Sequence, residues 1–323
     1  MKKNLYRLYY LFIFGGWYYV WVGIANKLLG HEKARKFLHN KTRKTNPKKY
    51  EAELTKIYAL KTGKKLDLKN PSTFNEKLQW LKLNDATPLK TTLTDKFLVR
   101  EWIRDKIGEQ YLIPLLGVWD KFEDIKMSEL PDSFVLKANH GSEWNVVVQN
   151  REEVNWNKVQ KNFDEWMSYN FAFIAGFQMQ YLNIPPKIIA EKYIKSADGN
   201  LYDYKIHCFN GKPEYIHVIG NRKINAHQAK EAFYDTAWVL QPFISGVYSK
   251  YETEIKKPAH LKEMLRIAEI LSREFIYVRI DLYELDSGEI KFGEMTFTPG
   301  SGFYHWTPPE TDRLWGEKIR LPL

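Results

Sequence analysis

The sequence predicts a mixed α/β protein, with helices ahead of residue 110 and antiparallel strand pairs after residue 134. Three observations carry this. Apolar residues recur at helical spacing between residues 50 and 106, and period-two runs joined by turn residues recur from Phe134 onward. The stretch 274–303, EFIYVRIDLYELDSGEIKFGEMTFTPGSGF, alternates apolar and polar residues, turns at Asp286-Ser287-Gly288 and alternates back. A chain of 323 residues is long enough for two domains, or for one large α/β enzyme with subdomains.

Charge divides the chain. Residues 1–70 hold 17 Lys and Arg against 4 Asp and Glu, whereas the remainder holds 32 against 35. The basicity therefore belongs to the N-terminal region, which argues against a nucleic-acid-binding surface spread over the fold. Cys208 is the only cysteine, so no intrachain disulfide can form. A reducing compartment follows, and a structural zinc site is disfavoured.

Taken in order, residues 8–26, LYYLFIFGGWYYVWVGIAN, carry no charge and would span about 28 Å as a helix, close to the hydrocarbon thickness of a bilayer. Eight of these residues are Phe, Tyr or Trp. Tyr and Trp favour the headgroup level, so a helix lying in the interface competes with one that crosses. Basic flanks suit an anionic cytoplasmic leaflet, and association with the membrane is the expectation. Residues 31–69 read as a basic linker with helices. In it, Leu54, Ile57 and Tyr58 share one helical face. Thr73 and Glu76 have capping-box spacing ahead of the helix FNEKLQWLKL. A further helix is expected from about Thr94 to Lys106, with Phe97, Leu98, Val99 and Ile103 inward.

Strand signals then take over. A short strand is expected near Leu112, and Phe134-Val-Leu-Lys-Ala runs into the small-residue loop at His140-Gly141-Ser142, with a partner strand at Val146. A strand lysine beside such a loop, here Lys137, can hold phosphate as a point charge while backbone N–H groups cover it. Residues 151–182 read as helical. Lys187 to Ile194 reads as a strand, and 202–209 with 213–220 as a hairpin turning at Asn210-Gly211, with Lys205 and His207 on one face. A helix from about Pro258 to Phe275 precedes the last hairpin. There Arg279, Asp281 and Glu294 interrupt an apolar sheet, and buried charges need partners or a metal. Two carboxylates beside an arginine suit a Mg²⁺–phosphate site as well as a simple salt bridge.

The ordered motifs NPSTFNEKLQWLK, TDKFLVREWI, LIPLLGVWD, FVLKANHGS, DYKIHCFNGKPEYI and FGEMTFTPGSGF closely resemble the TupA-like (teichuronopeptide-synthesis) branch of the ATP-grasp superfamily, from about Asn70 to Leu323. The resemblance implies two α/β subdomains sandwiching a nucleotide behind a helical N-terminal region. It divides the chain into 1–30, 31–69, 70–130, a lysine-strand and phosphate-loop subdomain at 131–193, and a metal-binding catalytic subdomain at 194–323. It implies ATP and Mg²⁺ as cofactors. Lys137, His140, Gly141 and Ser142 would handle phosphate, Glu191 and Tyr193 would lie at adenine and ribose, and Asp203 would belong to the nucleotide site. Lys205 and Arg279 would act at the reacting phosphoryl group, and Asp281 and Glu294 would hold the metal. Thr296 stands where many ATP-grasp enzymes carry asparagine, and Glu143 stands where this branch suggests glycine. The implied activity is an ATP-dependent carboxylate–amine ligase working through an acylphosphate in bacterial cell-surface polysaccharide synthesis. Its substrate would be a carboxylate-bearing glycan or amino acid, at the inner face of the cytoplasmic membrane. A nucleotide-sugar glycosyltransferase is the alternative, although the chain has no Asp-x-Asp.

Overall fold

A computed structural model describes residues 36, 39–174, 176–196, 200–221 and 229–322. Residues 8–26 lie outside these. Among the described residues no helix is long and apolar enough to cross a membrane. Two sheets organise the described residues. The first has strand order β1-β4-β2-β3, formed by β1 (Leu115–Trp119), β2 (Phe134–Ala138), β3 (Asn145–Val148) and β4 (Ile188–Lys192). The second has order β10-β9-β5-β6-β7-β8, formed by β5 (Asp203–Phe209), β6 (Lys212–Gly220), β7 (Lys230–Asp235), β8 (Ser249–Lys250), β9 (Tyr277–Glu284) and β10 (Ile290–Thr296).

The helices ahead of the sheets are α1 (Tyr50–Thr62), α2 (Phe74–Asn84), α3 (Pro88–Thr94) and α4 (Val99–Ile107). The capping box forms as expected: the Thr73 hydroxyl accepts from the Glu76 N–H, and the Glu76 carboxylate accepts from the Thr73 N–H at 3.0 Å. The expected helix from Thr94 to Lys106 instead starts at Val99. The Asp95 carboxylate accepts from the N–H groups of Phe97 and Leu98, which fixes a turn there, and Leu98 is exposed rather than inward. Among the described residues of 151–182 only α5 (Trp156–Ser168) is α-helical. Beyond it Asn170 accepts from the Ala172 N–H, and short 3₁₀ turns follow. The strands β7 and β8 extend the second sheet beyond the elements expected from the sequence.

The second sheet is covered on both faces. Tyr204, Ile206 and Cys208 alternate onto one face with Val278, Ile280 and Leu282, where they meet Ile267 and Leu271 of α6 (Leu261–Ser272). The opposite face is aromatic. There Phe74 of α2 and Trp315 of α7 (Thr311–Lys318) meet Phe209, Phe233 and Tyr277. The first sheet packs Phe134, Leu136 and Ala190 against Val159 and Phe163 of α5.

Register on the aromatic face sets the site. Residues opposite one another run Glu294, Asp281, Lys205, His217 and Phe233 across β10, β9, β5, β6 and β7. A bulge at Gly293 makes this row possible, since Phe292 pairs with Leu282 and Glu294 with Asp281. Strict alternation would have put Glu294 on the same side as Phe292, against α6. A Cβ on Gly293 would lie 3.2 Å from the Asp281 carbonyl, tighter than a side chain tolerates without movement.

Candidate active site

Two polar clusters occupy the space between the sheets, one on each. On the first sheet the Lys137 ammonium lies 2.6 Å from Glu191 Oε2, across the β2–β4 ladder. Arg100, in the first turn of α4, donates to Glu191 Oε1 at 2.8 Å and to the Ile113 carbonyl at 2.7 Å. Asn139 ties the loop after β2 to its surroundings, donating to Asp95 at 2.9 Å and to the Pro185 carbonyl at 3.0 Å. The Lys96 ammonium donates to the Gly141 carbonyl.

On the second sheet Arg279 makes a two-pronged pair with Asp281 at 2.6 and 2.7 Å, and donates to Glu294 at 3.0 Å and Thr296 at 3.1 Å. Lys205 bridges Asp203, at 2.7 Å, and Asp281. Burial works against the charged form of Glu294, but Lys96, Arg279 and Lys205 together outweigh it and hold the carboxylate at about 2. Glu294 is therefore ionised at neutral pH. Burial pushes the Asp281 carboxyl up, while Arg279 and Lys205 pull it down.

Lys96 connects the two clusters. Burial lowers its ammonium below the ordinary lysine value, and the charges it feels are Glu294 from one sheet and Lys137 and Glu191 from the other, with its neighbour Asp95. Lys96 carries no motif that would mark it for this role. The Asp95 turn was its local signal, but the partner Glu294 is far along the chain.

The remaining expected residues divide. Asp203, Lys205, Arg279, Asp281 and Glu294 come together, as do Lys137 and Glu191. His140 does not join either group. Its ring is buried, with Nδ1 3.2 Å from Asn139 Oδ1, Nε2 3.2 Å from the Trp166 carbonyl and an edge contact to Trp144. Burial lowers its pKa to about 4, so the imidazole is neutral. Gly141 is buried where a Cβ would strike the Trp144 ring, whereas Ser142 is exposed. Glu143 adopts φ 63°, which accounts for the glycine suggested there, and its side chain is exposed. Tyr193 lies one residue past β4 and accepts from Gln149 at 2.9 Å.

Behind the second cluster, residues 298–303 form a turn in which Gly300, Ser301 and Gly302 all have positive φ. Lys82, fully buried on α2, donates to the Ser301 carbonyl at 2.7 Å, and Gln79 donates to the Gly302 carbonyl at 2.7 Å. From the other side Gln180 donates to the Thr298 hydroxyl at 2.7 Å, which donates to Gln178 at 2.6 Å. A Cβ at Gly302 would collide with the Gln79 amide, so only glycine lets α2 come this close.

Asp281 and Glu294 are the residues that would hold a divalent cation, being opposite one another on the ladder with the Thr296 hydroxyl 2.9 Å from Glu294 Oε1. Among the described residues no group of three or more His, Cys, Asp or Glu forms a cage for a metal ion. The donor set fits Mg²⁺, which takes one or two carboxylates and completes its shell with phosphate oxygens and water.

Several solved structures are similar to the chain. The chain is similar in structure to the D-alanine–D-alanine ligase of Bacillus anthracis complexed with ATP, at 19% identity and a TM-score of 0.40, over 65% of this chain and 56% of that one. The L-amino acid ligase of Bacillus licheniformis matches at 14% identity and a TM-score of 0.44, over 71% and 49%. The ADP complex of purK, N5-carboxyaminoimidazole ribonucleotide synthetase, matches at 14% and 0.39, over 77% and 58%. The chain thus spans about half the length of the solved structures it matches. No curated protein matches the sequence. A family model described as TupA-like ATPgrasp matches residues 76–320, which include both polar clusters and the turn behind them. The chain belongs to the TupA-like ATP-grasp family.

Proposed function

We propose that this protein is an ATP-dependent ligase that joins a carboxylate to an amine through an acylphosphate. The observation that carries the reading is a pair of clusters, Lys137–Glu191 on one sheet and Arg279–Asp281–Glu294–Lys205 on the other, whose charges both reach Lys96. Lys137 and Lys96 would bind the phosphates, and Glu191 would lie at the base end. Arg279 would face the transferring phosphoryl group, and Lys205 would turn from Asp281 toward a phosphate oxygen. Mg²⁺ held by Asp281 and Glu294 would neutralise charge on the phosphates.

The carboxylate oxygen of the substrate attacks the γ-phosphorus, and the bond to the bridging oxygen breaks, with ADP taking the electron pair. The amine nitrogen then attacks the acyl carbon, the carbon–oxygen bond to phosphate breaks, and the nitrogen loses a proton. Positioning and electrostatics supply the catalysis, so no nucleophilic side chain is needed. Action in bacterial cell-surface polysaccharide synthesis at the membrane belongs to the same reading. It is supported by the family resemblance and by the uncharged stretch at residues 8–26.

Thermal unfolding of the full chain with Mg-ATP tests this. Ligand at 100 times its dissociation constant stabilises by about 2.7 kcal/mol. For a chain of this length that raises the midpoint by about 4 °C. The rise should vanish in Lys137→Ala. Stabilisation by a UDP-sugar and not by Mg-ATP would replace this reading with the glycosyltransferase.

A further inference from the structure

Resting on the ATP site just described, we infer that Arg100 is a positioning residue that sets how much positive charge Lys137 can offer to phosphate. Lys137 is held by a carboxylate. Its ammonium is 2.6 Å from Glu191 Oε2, and alone the two would form a neutral ion pair. Arg100 alters this balance by occupying the other oxygen, Glu191 Oε1, at 2.8 Å. One carboxylate is then shared by two cations, and the trio carries net positive charge facing the cleft.

The surrounding charges do not cancel that surplus. Asp95 is offset by its neighbour Lys96, and Glu294 is paired with Arg279. Arg104, one turn further along α4, is half exposed and lies 3.8 Å from Glu109. The geometry also fixes Arg100. Its second terminal nitrogen donates to the Ile113 carbonyl at 2.7 Å, just before β1, so the guanidinium spans α4 and the approach to the sheet as a rigid fork. The Arg100 and Glu191 side chains are only 12% and 10% exposed, so water does little to screen the pair.

Removing the arginine has a specific consequence. Among the described residues Glu191 then has Lys137 as its one cationic hydrogen-bond partner, and phosphate must compete with a buried carboxylate for the same ammonium. The loss should scale with the number of phosphates on the ligand. A residue that only supported the fold would weaken every nucleotide alike.

The test measures binding of ATP, ADP and adenosine to the full chain by titration calorimetry, with Mg²⁺ present, for the native protein, Arg100→Met and Arg100→Lys. The expected result for Arg100→Met is a loss of ATP affinity of at least tenfold, a smaller loss for ADP and less than threefold for adenosine. Arg100→Lys keeps the charge and should recover most of the ATP affinity. Adding Glu191→Gln to Arg100→Met should cost less than the two single losses combined, because Lys137 is released from its remaining carboxylate. Equal losses for all three ligands, or unchanged ATP affinity in Arg100→Met, would overturn the inference. If Arg100→Met does not fold, Glu191→Gln decides: with the shared carboxylate gone, ATP affinity relative to adenosine should rise, and a fall in that ratio would overturn the inference. Failure of the native protein to bind ATP at all would instead remove the ligase reading on which the inference rests.

Discussion

Burial of His140 makes a measurable prediction about acid stability. The imidazole is neutral in the fold, with its pKa lowered to about 4 by burial, against an ordinary value near 6.5 in the unfolded chain. Between these values the unfolded state binds a proton that the folded state does not, so stability rises with pH in that interval and is lost as pH falls through it. From pH 7.5 to pH 5 the loss from this one residue is about 2 kcal/mol, approaching about 3 kcal/mol below pH 4. For 323 residues the pH 5 value lowers the midpoint by about 3 °C. The assay is calorimetric unfolding of the native protein and His140→Gln at both pH values. The glutamine variant should be less stable at pH 7.5, yet its further drop on going to pH 5 should be smaller by about 2 kcal/mol. Equal drops in the two proteins, or an imidazole that titrates near 6.5 by NMR, would refute the reasoning and return His140 to the phosphate-loop role that the family resemblance implies.

Other perturbations give distinct outcomes. Lys96→Ala should abolish stabilisation by Mg-ATP while the fold survives, because the half-buried ammonium adds its charge between the two sheets; differential scanning fluorimetry reads both. Glu294→Gln should remove ADP release and weaken the Mg²⁺ dependence of ATP binding, seen by titrating the metal at fixed nucleotide. Thr73→Ala breaks the capping box and should cost about 1 kcal/mol, or about 1–2 °C in the midpoint. Gly302→Ala should destabilise the chain, since φ 63° and the Gln79 amide both oppose a side chain there, and amide exchange over 299–303 should rise.

What the sequence made legible was local. The capping box at Thr73, the turn at Asn210-Gly211 and the hairpin after Phe275 follow from short-range rules and appear in the structure. That Asp281 and Glu294 lie near one another was also readable from the hairpin, but their direct opposition was not, because it depends on the bulge at Gly293. Tertiary partners were not. Lys96 sits in a plain turn, and nothing within ten residues shows that its charge meets Glu294. His140 looked like a loop residue, since the tryptophans that bury it gain their meaning only when α5 packs on the first sheet. Residues 169–182, rich in apolar side chains, read as helix by composition. Asn170 and the positive φ values at Gly176 and Phe177 make it a series of turns instead.

The bulge at Gly293 has a consequence for how this sequence can vary in length. A β-strand keeps count in twos, and the bulge adds one to that count between Phe292 and Met295, both of which reach the core under α6. Losing that single glycine would restore plain alternation and leave Phe292, Glu294, Met295 and Phe297 on the faces they hold now. Straightening the bulge at unchanged length has the opposite effect: Glu294 turns into the apolar layer under α6 while Met295 and Phe297 turn out of it. The acidity of the site and the packing of the sheet are thus tied together through one residue that has no side chain, and the strand tolerates its loss better than its straightening.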